Sequence, residues 1–133
     1  MRSINDACHI AIPARDLDEA VGFYVDGLGA KLARRYPDRV TFDFFGDQLV
    51  CHLSEEVGDD DPKPYPRHFG VSFAEPSDFD RLVRLVEYRD LRVITPVSVR
   101  FAGRADSHRS IFLADPSNNV IEFKQYDDPR LQY

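Results

Sequence analysis

One pattern is used twice along this chain, and it restricts the available folds more than any single segment does. His9-Ile10-Ala11-Ile12-Pro13 reads as a strand with Ile10 and Ile12 on one face and His9 and Ala11 on the other, because strand side chains alternate. His68-Phe69-Gly70-Val71-Ser72-Phe73 repeats that layout, with Phe69, Val71 and Phe73 opposite His68, Gly70 and Ser72. A helix is predicted after each strand. In the first, Leu17, Ala20, Val21 and Tyr24 recur at the spacing of one helical face, Asp16 and Glu19 match a capping box, and Gly27 and Gly29 end it. In the second, Phe79, Leu82, Val83 and Val86 form the stripe, with Ser77 as the expected cap and Asp80 in the box position. Strands are then expected at 30–36, 40–45 and 48–54 in the first half, and at 91–101, interrupted at Pro96, and across a hairpin at 111–124 in the second. The hairpin turns at Asp115-Pro116-Ser117-Asn118-Asn119, where Pro fixes φ and Asn tolerates a left-handed backbone.

The repeat predicts an α+β fold in a single domain, 1–133, made of two βαβββ modules at about 7–54 and 68–126. The acid- and proline-rich segment 55–67 between them reads as an exposed, irregular linker. A net charge of −6 argues against a nucleic-acid partner, since phosphate contacts need clustered Lys and Arg. No apolar run is long enough to cross a bilayer and the N-terminus lacks a signal peptide's hydrophobic segment, so the expectation is a cytoplasmic protein with no membrane partner. Cys8 and Cys51 are too few for a disulfide framework, and each is expected to be a small buried hydrophobe.

Alternation also sorts the polar residues. In the strand at 48–54, Leu49, Cys51 and Leu53 share one face, which leaves His52 on the other with Val50 and Ser54. In the last strand Glu122 lies between Ile121 and Phe123, which point the opposite way. If the apolar faces pack on the helices, the remaining faces are expected to line a cleft holding His9, His68, Glu122 and His52. Two imidazoles and one carboxylate are the facial set that suits Fe(II), Mn(II) or Zn(II) while leaving positions open for substrate. Phe44, Ser72, Arg100 and Phe101 are the expected cleft-facing groups that choose that substrate.

His9-Ile10-Ala11-Ile12-Pro13, a helix ending Phe23-Tyr24-x-x-x-Leu28-Gly29, His68-Phe69-Gly70-Val71 and Asp115-Pro116-Ser117-Asn118-Asn119-Val120-Ile121-Glu122 together resemble the vicinal oxygen chelate superfamily, the group of glyoxalases, extradiol dioxygenases and fosfomycin-resistance proteins. The resemblance covers nearly the whole chain. The segment from Phe42 to Leu53 looks like a bacterial single-domain subgroup described as predicted extradiol-type dioxygenases. What this implies is a pair of sheets forming a cleft-lining barrel, a homodimer, a small-molecule substrate, and His9, His68 and Glu122 as ligands to a divalent metal.

His52 occupies the strand that, in the resembled proteins, gives either a fourth metal ligand or an acid–base histidine beside the substrate. The dioxygenase reading implies Fe(II), a catechol-like substrate and proton transfer by His52. The glyoxalase-like reading implies an isomerase or lyase using Zn(II), Ni(II) or a similar ion, with His52 as a ligand. A third possibility is a binding protein without catalysis, since the same scaffold holds antibiotics in members that have lost their ligands. Extradiol members usually carry a Tyr ten residues before the ligand Glu, and here that residue is Phe112. Phe has no donor, so either another group such as His108 or Arg100 substitutes for the phenol, or the chain does not cleave catechols by the usual route.

Overall fold

The computed structural model describes residues 3–133. Eight strands form two four-stranded sheets, each built by one βαβββ module. Module 1 contains β1 (His9–Ala14), the helix α1 (Leu17–Val21), β2 (Lys31–Arg35), β3 (Arg39–Phe44) and β4 (Asp47–Leu53), in sheet order β1-β4-β3-β2. Module 2 contains β5 (Phe69–Phe73), α2 (Pro76–Tyr88), β6 (Val93–Arg100), β7 (His108–Ala114) and β8 (Val120–Tyr126), in the order β5-β8-β7-β6. In both sheets the first strand runs parallel to the fourth, and the other neighbours are antiparallel. The two βαβββ modules of the α+β reading are therefore the observed architecture. β1 and β5 are both edge strands, each with a side that no strand of its own sheet pairs.

Local chemistry explains where the helices begin and end. Asp16 caps α1 as expected, its Oδ1 accepting from the Asp18 and Glu19 amides at 2.7 and 2.9 Å. The helix does not stop there. It continues through π turns at Gly22–Gly27 before Gly29, at φ 78°, turns the chain away. The expected Ser77 cap is corrected: Glu75 is the N-cap, α2 opens at Pro76, and no side chain bonds the first turn. Proline's fixed φ and missing N–H suit the first helical position, which places Ser77 inside the turn. Pro96 does not break its strand. β6 runs through it with a register shift between Thr95 and Ser98.

The apolar faces of the two modules meet in one core. α1 packs on β3 and β4, and α2 on β5 and β8. Phe44 lies 5.9 Å from Phe69 and 6.2 Å from Phe123, ring to ring, and Phe45 reaches across to Phe73 and Phe123. Tyr24 donates to Asp115 at 2.8 Å, tying the first helical segment to the turn between β7 and β8. Two apolar expectations are corrected at the margins of this core. Leu53 is 51% exposed because it ends its strand, and Cys8 is exposed ahead of β1. The linker is irregular and largely exposed, held by Arg15 and Asn118, which both donate to the Gly58 carbonyl.

Candidate functional site

Joining the modules through their apolar faces leaves the histidine-bearing faces on separate sheets. On module 1, β1 and β4 run parallel with His9 beside Gln48 and Pro13 beside His52. His9, Gln48, Val50 and His52 line a hollow of about 360 Å³ with Arg34, Tyr36, Arg39 and Thr41. His9 Nδ1 lies 2.5 Å from Gln48 Oε1. An amide oxygen only accepts, so Nδ1 carries the hydrogen and Nε2 is left with its lone pair. His52 stands four residue pairs further along, about 13 Å at the usual rise per residue, and enters the hollow at its other end.

On module 2, His68 precedes β5 and Glu122 lies near the start of β8. His68 Nε2 is 3.2 Å from Glu122 Oε2, and Nδ1 bonds the Pro64 carbonyl at 2.7 Å. Glu122 is only 7% exposed, so the hairpin's carboxylate is not a solvated surface group. Its close approach to β5 depends on Gly70, the register partner of Glu122. A Cβ at position 70 would lie 1.7 Å from the Glu122 carbonyl oxygen. Phe112 is buried and pairs with Glu122 across β7 and β8, so the residue opposite the carboxylate is a ring without a hydroxyl. Lys124 adds a cation 3.6 Å from Glu122 Oε2. A cleft of about 550 Å³ runs between β1 and the linker, with Ile10, Ile12, Tyr65, His68 and Asn119 on its walls.

The sequence-predicted residues thus fall into two groups. His68 and Glu122 are brought together, while His9 and His52 share the opposite module's hollow. Among the described residues, no three His, Cys, Asp or Glu side chains converge in a way that could hold a metal ion. The predicted single cleft is therefore not closed within one chain, because the modules spend their apolar faces on each other. Ser72 lies on β5 opposite Lys124, and Arg100 ends β6 opposite His108. Phe44 is corrected: it is in phase with Val40 and Phe42, only 2% exposed, and belongs to the core. Phe101 lies just beyond β6 with φ 53° and packs against Arg104 and His108.

Four contributors escaped the sequence reading. Gln48 and Lys124 were legible in principle, being in phase with His52 and Glu122. The Pro64 carbonyl and Tyr65 lie in a segment with no periodicity. Tyr65 packs edge-on to His68 and Phe112, with ring centroids 5.6 and 6.1 Å away. In the core beneath, Asp115 accepts from Tyr24, Ser117 and Asn119, yet burial outweighs these bonds and raises its carboxyl. Burial and then the Asp115 charge push the Cys51 thiol up to about 12.

The duplicated module and its fold match known proteins. Residues 8–123 fit the family model described as Glyoxalase/Bleomycin resistance protein/Dioxygenase superfamily. The chain is 55% identical to a glyoxalase/bleomycin resistance protein/dioxygenase from Alicyclobacillus acidocaldarius, with 100% of each chain covered and a TM-score of 0.95. The fold also matches a genomically encoded fosfomycin resistance protein from Listeria monocytogenes at 17% identity, with 94% of each chain covered and a TM-score of 0.71. Lactoylglutathione lyase from Agrobacterium tumefaciens matches at 21% identity and a TM-score of 0.70, with 96% of this chain and 97% of that one covered. With a family match spanning both modules and a relative alike from end to end, the chain belongs to the glyoxalase/bleomycin resistance protein/dioxygenase superfamily.

Proposed function

We propose that this protein is a divalent-metal-dependent enzyme acting on a small molecule with two adjacent oxygen functions, and that its chemistry is of the extradiol dioxygenase type. The observation that carries this is the His68–Glu122 pair. A carbonyl can only accept, so the bond to Pro64 commits Nδ1–H, and Nε2 faces a carboxylate oxygen at 3.2 Å. Two such acceptors need a positive charge between them. A proton on Nε2 would supply it, as would a metal ion in its place, and an imidazole whose other nitrogen donates to a main-chain carbonyl is the usual form of a ligand histidine. Superfamily membership supports the same choice, its members being typically metal-dependent.

His9 is the third donor, its Nε2 freed by the bond from Nδ1 to Gln48. It lies on the other sheet, and both β1 and β5 have an unpaired edge. We therefore assign His9 to the site of a second copy of the chain, which makes the homodimer the working unit. The bound ion would supply the charge that holds the substrate's oxygens and, as Fe(II), the reducing capacity for O2 chemistry. His52, set apart from His9 along β4, suits proton transfer at a substrate hydroxyl better than ligation. Phe112 shields the Glu122 carboxylate from water. Phe112 also favours a second reading, a glyoxalase-like isomerase or lyase with Zn(II) or Ni(II), because it provides no phenol for a catechol.

Elemental analysis of protein purified without oxygen tests both parts. Wild type is expected to hold close to one divalent ion per chain, and Glu122→Ala and His9→Ala to lose it. Co-expression of the two variants should restore metal to about half the sites of mixed dimers, since one of the two sites then has a full ligand set. Iron directs the next assay to catechols under O2, whereas zinc or nickel directs it to isomerase substrates. Wild type that takes up no metal after reconstitution refutes the enzyme reading and leaves a small-molecule binder.

A further inference from the structure

We propose that the face of module 2 carrying His68 and Glu122 takes a planar small molecule bearing a carboxylate, gripped by Arg100, Lys124 and the hydroxyl of Ser110. This rests on the reading above only in placing the substrate at the His68–Glu122 pair.

Charge points to an anion. The chain as a whole is acidic, at −6, yet Glu122 is the one carboxylate that the strand register places on this face. Against it stand Lys124, two residues along the same strand, and Arg100, opposite His108. Lys124 is shared with Glu122 at 3.6 Å. Arg100 has no carboxylate partner among the described residues, and its Nη2 reaches only the Tyr65 hydroxyl, at 3.4 Å. A guanidinium presents five donors in a planar fork that matches a carboxylate, so most of its capacity here is unspent.

Ser110 supplies an independent observation. It is fully buried on β7, in register with Lys124 on one side and Ser98 on the other, and its Oγ has no hydrogen-bond partner among the described residues. Buried hydroxyls are almost always bonded, and one left alone in register with Lys124 has the donor that an arriving anion would use. The shape of the ligand follows from the rings nearby. Tyr65, His68 and the buried Phe112 stand mutually edge-on, with centroids 5.5 to 6.1 Å apart, and the exposed Tyr65 and His68 rings offer aromatic surface to a flat molecule. Arg100 and Tyr65 would hold the carboxylate from the outside, and Ser110 would hold it from beneath.

Calorimetric titration of the metal-free full chain with benzoate, and separately with benzyl alcohol, tests this. Benzoate is expected to bind at least about tenfold more tightly than the alcohol, a preference typical of charge-assisted bonding, and Arg100→Gln should remove it. Ser110→Ala should weaken benzoate while leaving the melting temperature unchanged or higher, since it removes an unsatisfied buried group. Glu122→Gln, which abolishes the proposed metal site, should keep benzoate binding. Equal binding of the two probes, no binding of either, or a preference that survives Arg100→Gln overturns the proposal. Metal content answers separately: a benzoate preference in a protein that never holds metal would refute only the enzyme reading, and metal without the preference would refute only this one.

Discussion

Cys8 and Cys51 are the same residue in opposite surroundings. Cys8 is exposed before β1, while Cys51 is buried in β4 with its thiol pushed up to about 12 by burial and the nearby Asp115 charge. The thiolate is the nucleophile, so one cysteine of the native chain is expected to react with an aromatic disulfide reagent near neutral pH, and the second only after unfolding. Two fast thiols in the native state would show that β4 opens to solvent. At this scale the sequence was informative wherever alternation was unbroken. Period-two spacing put His9 opposite Ile10 and Ile12, and Glu122 opposite Ile121 and Phe123. Phe44 was misplaced although the same rule applied, since its phase with Val40 and Phe42 already assigned it to the core. Tyr65 and the Pro64 carbonyl had no such signal, because a proline-rich segment has neither period and its position depends on distant contacts.

Strand β5 can approach β8 closely only because residue 70 has no side chain. With a Cβ placed 1.7 Å from the Glu122 carbonyl oxygen, Gly70→Ala has to move one backbone relative to the other. The expected cost is about 2 kcal/mol or more in urea unfolding, the range for backbone strain within an element. On the proposed metal-binding reading, metal content should fall with it, because the same shift separates Glu122 from His68. A Gly70→Ala variant with wild-type stability and full metal would show that the strands can spread without disturbing the pair. The elements themselves were legible as hydrophobic periods, and their ends were less so. The first helix ends at Gly27 and Gly29 as expected, while Pro76 moved the start of α2 ahead of Ser77, since a cap depends on a single residue rather than on a repeated pattern.

The two modules are fastened through Asp115, which accepts the Tyr24 hydroxyl of module 1 from within module 2. Its buried carboxyl is raised above the ordinary 3.8, desolvation outweighing the bonds from Asn119, Tyr24 and Ser117. The folded chain therefore holds this proton at pH values where the unfolded chain has released it, and its contribution to stability falls as pH rises from 3.8 through the folded value. Asp115→Asn removes that dependence, so the gap between wild type and variant should narrow as pH rises through this window. At neutral pH the wild type should still lead by about 1–3 kcal/mol, because an amide nitrogen replaces either the oxygen that accepts from Tyr24 and the Asn119 side chain or the one that accepts from the Ser117 and Asn119 backbone amides. Urea melts at several pH values check this, and a gap that widens with pH would refute it. The arrangement of the modules was the least legible feature. The repeat defines each module, but which faces meet is set by contacts such as Phe45 on Phe73 and Phe123, and these put His9 and His68 on separate sheets.

The two imidazoles are aimed by partners that differ in how they are exposed to mutation. Gln48 aims His9 with its side chain, and one nucleotide change can replace it. Pro64 aims His68 with a main-chain carbonyl, which no substitution at that position can delete. Under drift, a lineage should lose the orientation of His9 before that of His68. If the proposed chemistry and anion site are right, a descendant that has given up the one and kept the other is therefore expected to carry its lesion in module 1, with the face of module 2 inherited intact.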